Sequence, residues 1–256
     1  MSILKKTSTR APEKANKKNI KKETQKILKK VHELQRIMYA QWKHSILLVL
    51  QWIDAAWKNS TVRKIFTGVN PLGCRVYEFK KPTPKELAHD FLWRVHGVTP
   101  PQGMIHIFNR SHYEDVLVPV VEWYLSKEST QKRYMHINDF ERLLQEHNTK
   151  VIKCYLHISH DKQKEKLMDR VRIPQKHRKH NDWDWESRAK RDEYMKAYEK
   201  IFDECNEIPR HIVPSDQKRW KVYTIATILL ETLESMELKW PGLDSELFEN
   251  WERIKS

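Results

Sequence analysis

The sequence predicts an α/β fold, a three-layer α/β/α domain around a central parallel sheet. Three observations carry this expectation. Short, unbroken apolar runs, of which Ser45–Gln51 is the clearest, have the look of strands buried on both faces. Segments with helical apolar spacing separate them. The two kinds alternate along the chain, and that alternation needs crossover helices covering both faces of a parallel sheet.

The elements follow in order. Ile27, Leu28, Val31, Leu34, Ile37 and Met38 recur at helical spacing and predict an amphipathic helix over Lys21–Trp42. After the strand at Ser45–Gln51, strands are predicted at Cys74–Phe79, Met104–Phe108, Val151–Ile158 and His211–Val213. Helices are predicted at Asn59–Phe66, Pro84–His96, Ile137–His147 and Asp161–Val171, with long ones at Asp184–Cys205 and Gln217–Met236. Tyr194, Met195, Tyr198 and Phe202 form a helical stripe that reads as core. His96, His106 and His112 lack metal-ligand spacing and read as packing or surface residues.

Composition narrows the function classes. Charged residues make up 32% and apolar residues 39%, and no apolar run reaches the length of a membrane span. The lysine-rich start lacks the apolar stretch of a secretory signal. Three dispersed cysteines, Cys74, Cys154 and Cys205, exclude a disulfide framework, argue against zinc, and suit a reducing, cytoplasmic setting. The net charge is +14. Residues 1–30 hold ten Lys and one Arg against Glu13 and Glu23, and residues 1–19 are expected to be a disordered basic tail. A second basic run spans Lys162–Lys179. Such charge suits either a solvated surface or a polyanion partner, and charge alone does not choose. Two counts stand out: 5 glycines and 10 tryptophans, where glycine usually supplies about 7% of residues.

The first strand–helix junction carries the chemistry. It reads Leu50-Gln51-Trp52-Ile53-Asp54-Ala55-Ala56-Trp57-Lys58-Asn59-Ser60-Thr61. A phosphate-cradling loop has the pattern G-x-x-x-x-G-K between a strand and a helix. Here the spacing and Lys58 are present, but both glycine positions hold tryptophan. Glycine serves there because the backbone must turn through positive φ and close on phosphate oxygens. As written, the loop is expected to bind phosphate badly.

Further strings give the junction its context: Gly68-Val-Asn-Pro-Leu-Gly73, Glu86-Leu-Ala-His-Asp-Phe-Leu-Trp-Arg94 and Phe108-Asn-Arg-Ser-His-Tyr-Glu-Asp115. Together with Gln51-x-x-Asp-Ala-Ala-x-Lys58, they closely resemble the polyphosphate kinase type 2 family over about residues 20–240. Arg170-Val-Arg-Ile-Pro-Gln-Lys-His-Arg-Lys179 resembles that family's basic lid. The resemblance implies a P-loop kinase-like domain at 20–240, a helical lid around 165–184 and a C-terminal extension at 241–256. It also implies Mg²⁺-dependent phosphoryl transfer between inorganic polyphosphate and ADP or AMP. The expected partners are polyphosphate and nucleoside mono- or diphosphates, with a homo-oligomer and neither membrane nor specific nucleic acid. The alternative is a catalytically inactive polyanion-binding member of the same fold.

Within that resemblance Lys58 would hold phosphates, and Asp54 and Asp115 would anchor Mg²⁺. Arg110, with Asn109 beside it, would neutralise charge on the transferring group. Arg170, Lys176 and Lys179 would grip polyphosphate from the lid. Asp90, Arg94 and Glu114 would contact the nucleotide. Plainer roles exist for several: Asp54 as a helix cap, Lys58 as a surface lysine, Arg110 as a partner of Glu114.

The departures from the family are directional. Trp42, Trp52, Trp57, Trp123 and Trp183 stand where the family favours Gly, and Arg178, Arg191, Arg210 and Arg219 where it favours Trp. Random drift would scatter over many residue types. The pattern is expected if the source reads UGA as Gly and CGA or CGG as Trp; a decayed phosphate loop is the rival account.

Overall fold

The structure, a computed structural model, describes residues 2–53 and 58–243, with the side chains of residues 58 and 59 outside that description. Five parallel strands form one sheet in the order β2-β3-β1-β4-β5. They are β1 (Ser45–Trp52), β2 (Cys74–Glu78), β3 (Ile105–Asn109), β4 (Thr149–His157) and β5 (Arg210–Pro214). Every residue of central β1 is buried. Leu48 pairs with Ile107 of β3 on one side and Ile152 of β4 on the other.

Because side chains alternate along a strand, β1 feeds two cores. Leu47 and Val49 pack with Phe108, Tyr155 and residues of α6 (Glu114–Val121), α7 (Lys127–Glu146) and α10 (Arg191–Glu204). Ile46, Leu48, Leu50 and Trp52 pack on the opposite face, with residues of α2 (Lys17–Gln41), α3 (Lys58–Phe66) and α11 (Lys218–Glu234). The three-layer expectation therefore holds. No helix among the described residues is long and apolar enough to cross a membrane.

Several elements differ from expectation. The stretch over 1–19 does not stand apart from the domain at its start. The short α1 (Ile3–Lys6) buries Leu4 in the first core, Thr9 hydrogen-bonds Asp216 at 2.8 Å, and the Ala11 amide reaches Gln217 at 2.8 Å. One buried leucine and paired backbone groups hold the segment down despite its charge. The helix expected over Pro84–His96 is broken into α4 (Pro84–Leu87) and α5 (Trp93–His96). Between them Asp90 accepts a hydrogen bond from the Leu92 amide at 2.9 Å, the local bonding by which Asp competes with helix. The long helix over Asp184–Cys205 divides at Lys190 into α9 (Trp183–Ala189) and α10. Helix α6 was not anticipated: it is apolar nearly all round and carries Pro119, so helical periodicity is masked. Helix α7 starts at Lys127, ten residues before Ile137, capped by Ser126.

Among the described residues, two tryptophans occupy left-handed backbone. Trp42 caps α2 at φ 53°, and Trp123 follows α6 at φ 60°. Both indoles are largely exposed, at 61% and 83%. These are helix-end positions where glycine is the usual residue. Trp52, in contrast, closes β1 in extended backbone and buries its indole in the second core.

Candidate functional site

Parallel sheets place ligands outside the C-terminal ends of their strands, and some of the candidate residues lie there. Strand β1 ends at Trp52, whose carbonyl accepts the Tyr198 hydroxyl at 2.8 Å. The sequence stripe containing Tyr198 signalled core packing; its hydroxyl adds a polar tie to the end of β1. Asp54 and Trp57 lie outside the described residues, as does the Lys58 side chain. The backbone of Lys58 opens helix α3, whose N-terminus follows the end of β1.

Strand β3 ends at Asn109, buried in the sheet, and Arg110 follows it at φ 63°. A non-glycine residue in this region is strained and persists only where its surroundings fix it. Arg110 and Glu114 line one small cavity with Trp52, Ile53, Trp183 and Tyr194. Arg110 and Glu114 thus share a cavity with the end of β1.

Asp115 is held differently. Arg94 Nη2 donates to both carboxylate oxygens of Asp115, at 3.1 and 2.8 Å, and its Nη1 donates to the Lys80 carbonyl at 2.9 Å. The two side chains are 7% and 12% exposed, and Arg133 donates to the Asp115 carbonyl at 2.5 Å. Burial pushes the Asp115 carboxyl above its ordinary value, outweighing the Arg94 hydrogen bond and charge. Each carboxylate oxygen keeps acceptor capacity beyond the Arg94 contacts. A magnesium ion takes one or two protein carboxylates and fills its remaining positions with water and phosphate oxygens. Asp115 at the strand edge fits that modest demand. No group of three or more His, Cys, Asp or Glu side chains forms a metal cage among the described residues.

The remaining candidates fall into two other places. Asp90 lines a groove of about 710 Å³ with His89, Phe91, Arg133 and His136, and this groove shares no lining residue with the Arg110 cavity. Arg94 therefore joins Asp115 while Asp90 faces elsewhere. In the basic segment, Arg170 on α8 (His160–Arg172) donates to the Asp184 carboxylate and to the Lys179 carbonyl, the latter at 3.0 Å. Lys176 pairs with Asp169 at 2.9 Å. Arg170 and Lys176 thus brace the Pro174–Lys179 turn, whereas the Lys179 side chain is exposed. Burial pushes the thiols of Cys74, Cys154 and Cys205 up to about 12, which leaves them poor nucleophiles.

Fold and site together define a three-layer α/β/α protein with arginine, acidic side chains and a helix N-terminus at the C-terminal edge of its parallel sheet. Residues 14–241 match the family described as Polyphosphate kinase 2 (PPK2). An AMP/ADP-polyphosphate phosphotransferase of Meiothermus ruber is 42% identical over 83% of this chain and 80% of its own. An ADP-polyphosphate phosphotransferase of Rhodopseudomonas palustris is 36% identical over 84% and 79%. The crystal structure of polyphosphate kinase 2 from Arthrobacter aurescens TC1 superposes with a TM-score of 0.93 at 33% identity, covering 100% of this chain and 93% of that one. The chain belongs to the polyphosphate kinase 2 family.

Proposed function

We propose that this protein transfers phosphoryl groups between inorganic polyphosphate and ADP or AMP, with Mg²⁺. The observation that carries the reading is the family match over residues 14–241, together with relatives named for polyphosphate and AMP or ADP. Phosphoryl transfer asks the protein mainly for alignment and positive charge around the moving group. Lys58, opening α3 after the end of β1, holds phosphates on either side of the breaking bond. Arg110, following β3, neutralises charge as it shifts, with Asn109 at the end of the strand as a companion ligand. Asp115 and Asp54 would hold a magnesium ion, which would screen the phosphate charge. Arg94 and Glu114 serve the nucleotide, whereas Asp90, on a separate groove, is left without that role. Arg94 does so while orienting Asp115 through the contacts to both of its oxygens. Arg170 and Lys176 keep the basic segment folded, and Lys179 meets the polymer from it. The working protein is a cytoplasmic homo-oligomer.

The test is ADP and AMP phosphorylation by polyphosphate with Mg²⁺, run on two chains. One is the sequence as it stands. The other carries Gly at positions 42, 52, 57, 123 and 183 and Trp at 178, 191, 210 and 219. Turnover that depends on Lys58 in either chain supports the reading. Two folded chains that bind polyphosphate without forming ATP or ADP would overturn it in favour of a binding-only member of the fold.

A further inference from the structure

Behind the Arg110–Asp115 loop lies a polar cluster with no contact to solvent. Glu141 of α7, fully buried, accepts hydrogen bonds from the Tyr113 hydroxyl at 2.7 Å and from Lys153 Nζ at 2.7 Å, and lies 3.3 Å from His112 Nε2. Lys153, on β4, also donates to the Cys205 carbonyl at 3.0 Å and to the Tyr113 hydroxyl at 3.2 Å. Burial opposes ionisation of Glu141. The hydrogen bond from His112 and the Lys153 charge outweigh it and hold the carboxyl below its ordinary value.

As a stability device alone this arrangement is poorly chosen. A buried ion pair is often replaceable by apolar side chains of similar volume without loss. What an apolar pair could not do is hold His112 and Tyr113. Those two residues are separated only by Ser111 from Arg110, whose backbone is strained at φ 63°, and they lie immediately before Glu114 and Asp115. The loop also closes on itself through short local bonds, Glu114 N to Ser111 O at 2.9 Å, Asp115 N to His112 O at 3.2 Å and Tyr113 N to Ser111 Oγ at 3.3 Å. Strain of this kind survives where neighbouring contacts over-determine the backbone, and Glu141 supplies contacts from a separate helix.

We propose that Glu141 is a positioning residue for phosphoryl transfer, gripping His112 and Tyr113 so that Arg110 and Asp115 are presented at the sheet edge. This rests on the phosphotransfer reading above. Glu141 reaches no substrate itself; it acts through the loop, as buried partners of active-site groups commonly do.

The experiment compares the unsubstituted chain with Tyr113→Phe, which keeps the ring and the Glu141–Lys153 pair but loses one grip. Amide exchange across residues 110–115 is expected to quicken, and kcat for ADP phosphorylation to fall about 10- to 100-fold, with KM for ADP changed less than about threefold. The double variant Glu141→Gln/Lys153→Met removes both charges but keeps an amide oxygen to accept from Tyr113, and is expected to retain loop protection and most of kcat. If Tyr113→Phe lowers only the melting temperature, leaving kcat and loop exchange unaltered, the proposal is wrong. If neither the unsubstituted chain nor the chain carrying the glycine and tryptophan replacements forms ATP, the phosphotransfer reading falls, and the exchange data alone decide whether Glu141 holds the loop.

Discussion

Replacing Trp42 and Trp123 by glycine is expected to stabilise this protein. Both residues adopt left-handed backbone, at φ 53° and φ 60°. An L-residue with a Cβ there costs about 1–2 kcal/mol. Glycine relieves that strain but loses more freedom on folding, by about 0.5–1 kcal/mol. With indoles 61% and 83% exposed, little burial is forfeited. The Trp42 ring makes one tilted aromatic contact among the described residues, with Tyr39 at 6.4 Å. The helix-end bond from the Trp42 amide to the Met38 carbonyl, 3.2 Å, is main-chain and survives the change. The net gain is about 0.5–1 kcal/mol per site. For a chain of this size that raises the melting temperature of the double variant by about 2–6 °C. Calorimetry on the parent, on Trp42→Gly/Trp123→Gly and on Trp42→Ala/Trp123→Ala decides the matter. Alanine keeps the Cβ and should give little of the gain. A glycine variant that melts no higher than the parent, or an alanine variant that matches it, refutes the backbone argument. The gene gives a second check: UGG at codons 42 and 123 would sink the idea that the source reads UGA there as glycine.

Other expectations concern charge. Arg210 places its guanidinium over Tyr113 and Phe202, at 4.9 and 4.6 Å, with Nη1 and Nη2 buried and unpartnered. Arg210→Trp removes those donors and should stabilise by about 1 kcal/mol, read as a rise in denaturant midpoint; a fall would show that the site cannot accept an indole. Burial, reinforced by Lys218, lowers the Lys221 ammonium from 10.5 to about 7. Between these values the unfolded chain holds a proton the folded chain lacks, so this group's contribution to stability rises with pH through that window and is flat below it. From pH 7 to 9 the rise is up to about 2–3 kcal/mol, and Lys221→Met should flatten it; identical pH slopes would refute the assignment. Arg110→Ala should lower kcat by about 10²–10³ while leaving the melting temperature no lower, because the strained residue contributes charge rather than packing. A loss confined to KM would remove Arg110 from the chemistry.

How much was legible beforehand depended on the range of the interaction. The strands were readable from the apolar run of β1 and from the alternation of short β-rich and helical segments around it, and the Asn109–Asp115 string was readable because its chemistry is contiguous. The ends of the Pro84–His96 segment were readable too, but not its break, which depends on how Asp90 bonds its own backbone. Helix α6 was hidden by an apolar composition that erases periodicity.

The sequence by itself determined the strand–helix alternation, the parallel sheet and the family, since all three rest on local patterns of side-chain type. It also marked Trp42 and Trp123 as odd residues for their places. Only the tertiary structure decided the strand order β2-β3-β1-β4-β5, the pairing of Arg94 with Asp115, the bracing of Arg170 by Asp184, the docking of Leu4, and the grip of Glu141 on His112 and Tyr113. Those partners are far apart in sequence and carry no shared periodicity. Charged groups choose one another only after the sheet has excluded water and left each buried group a limited set of neighbours.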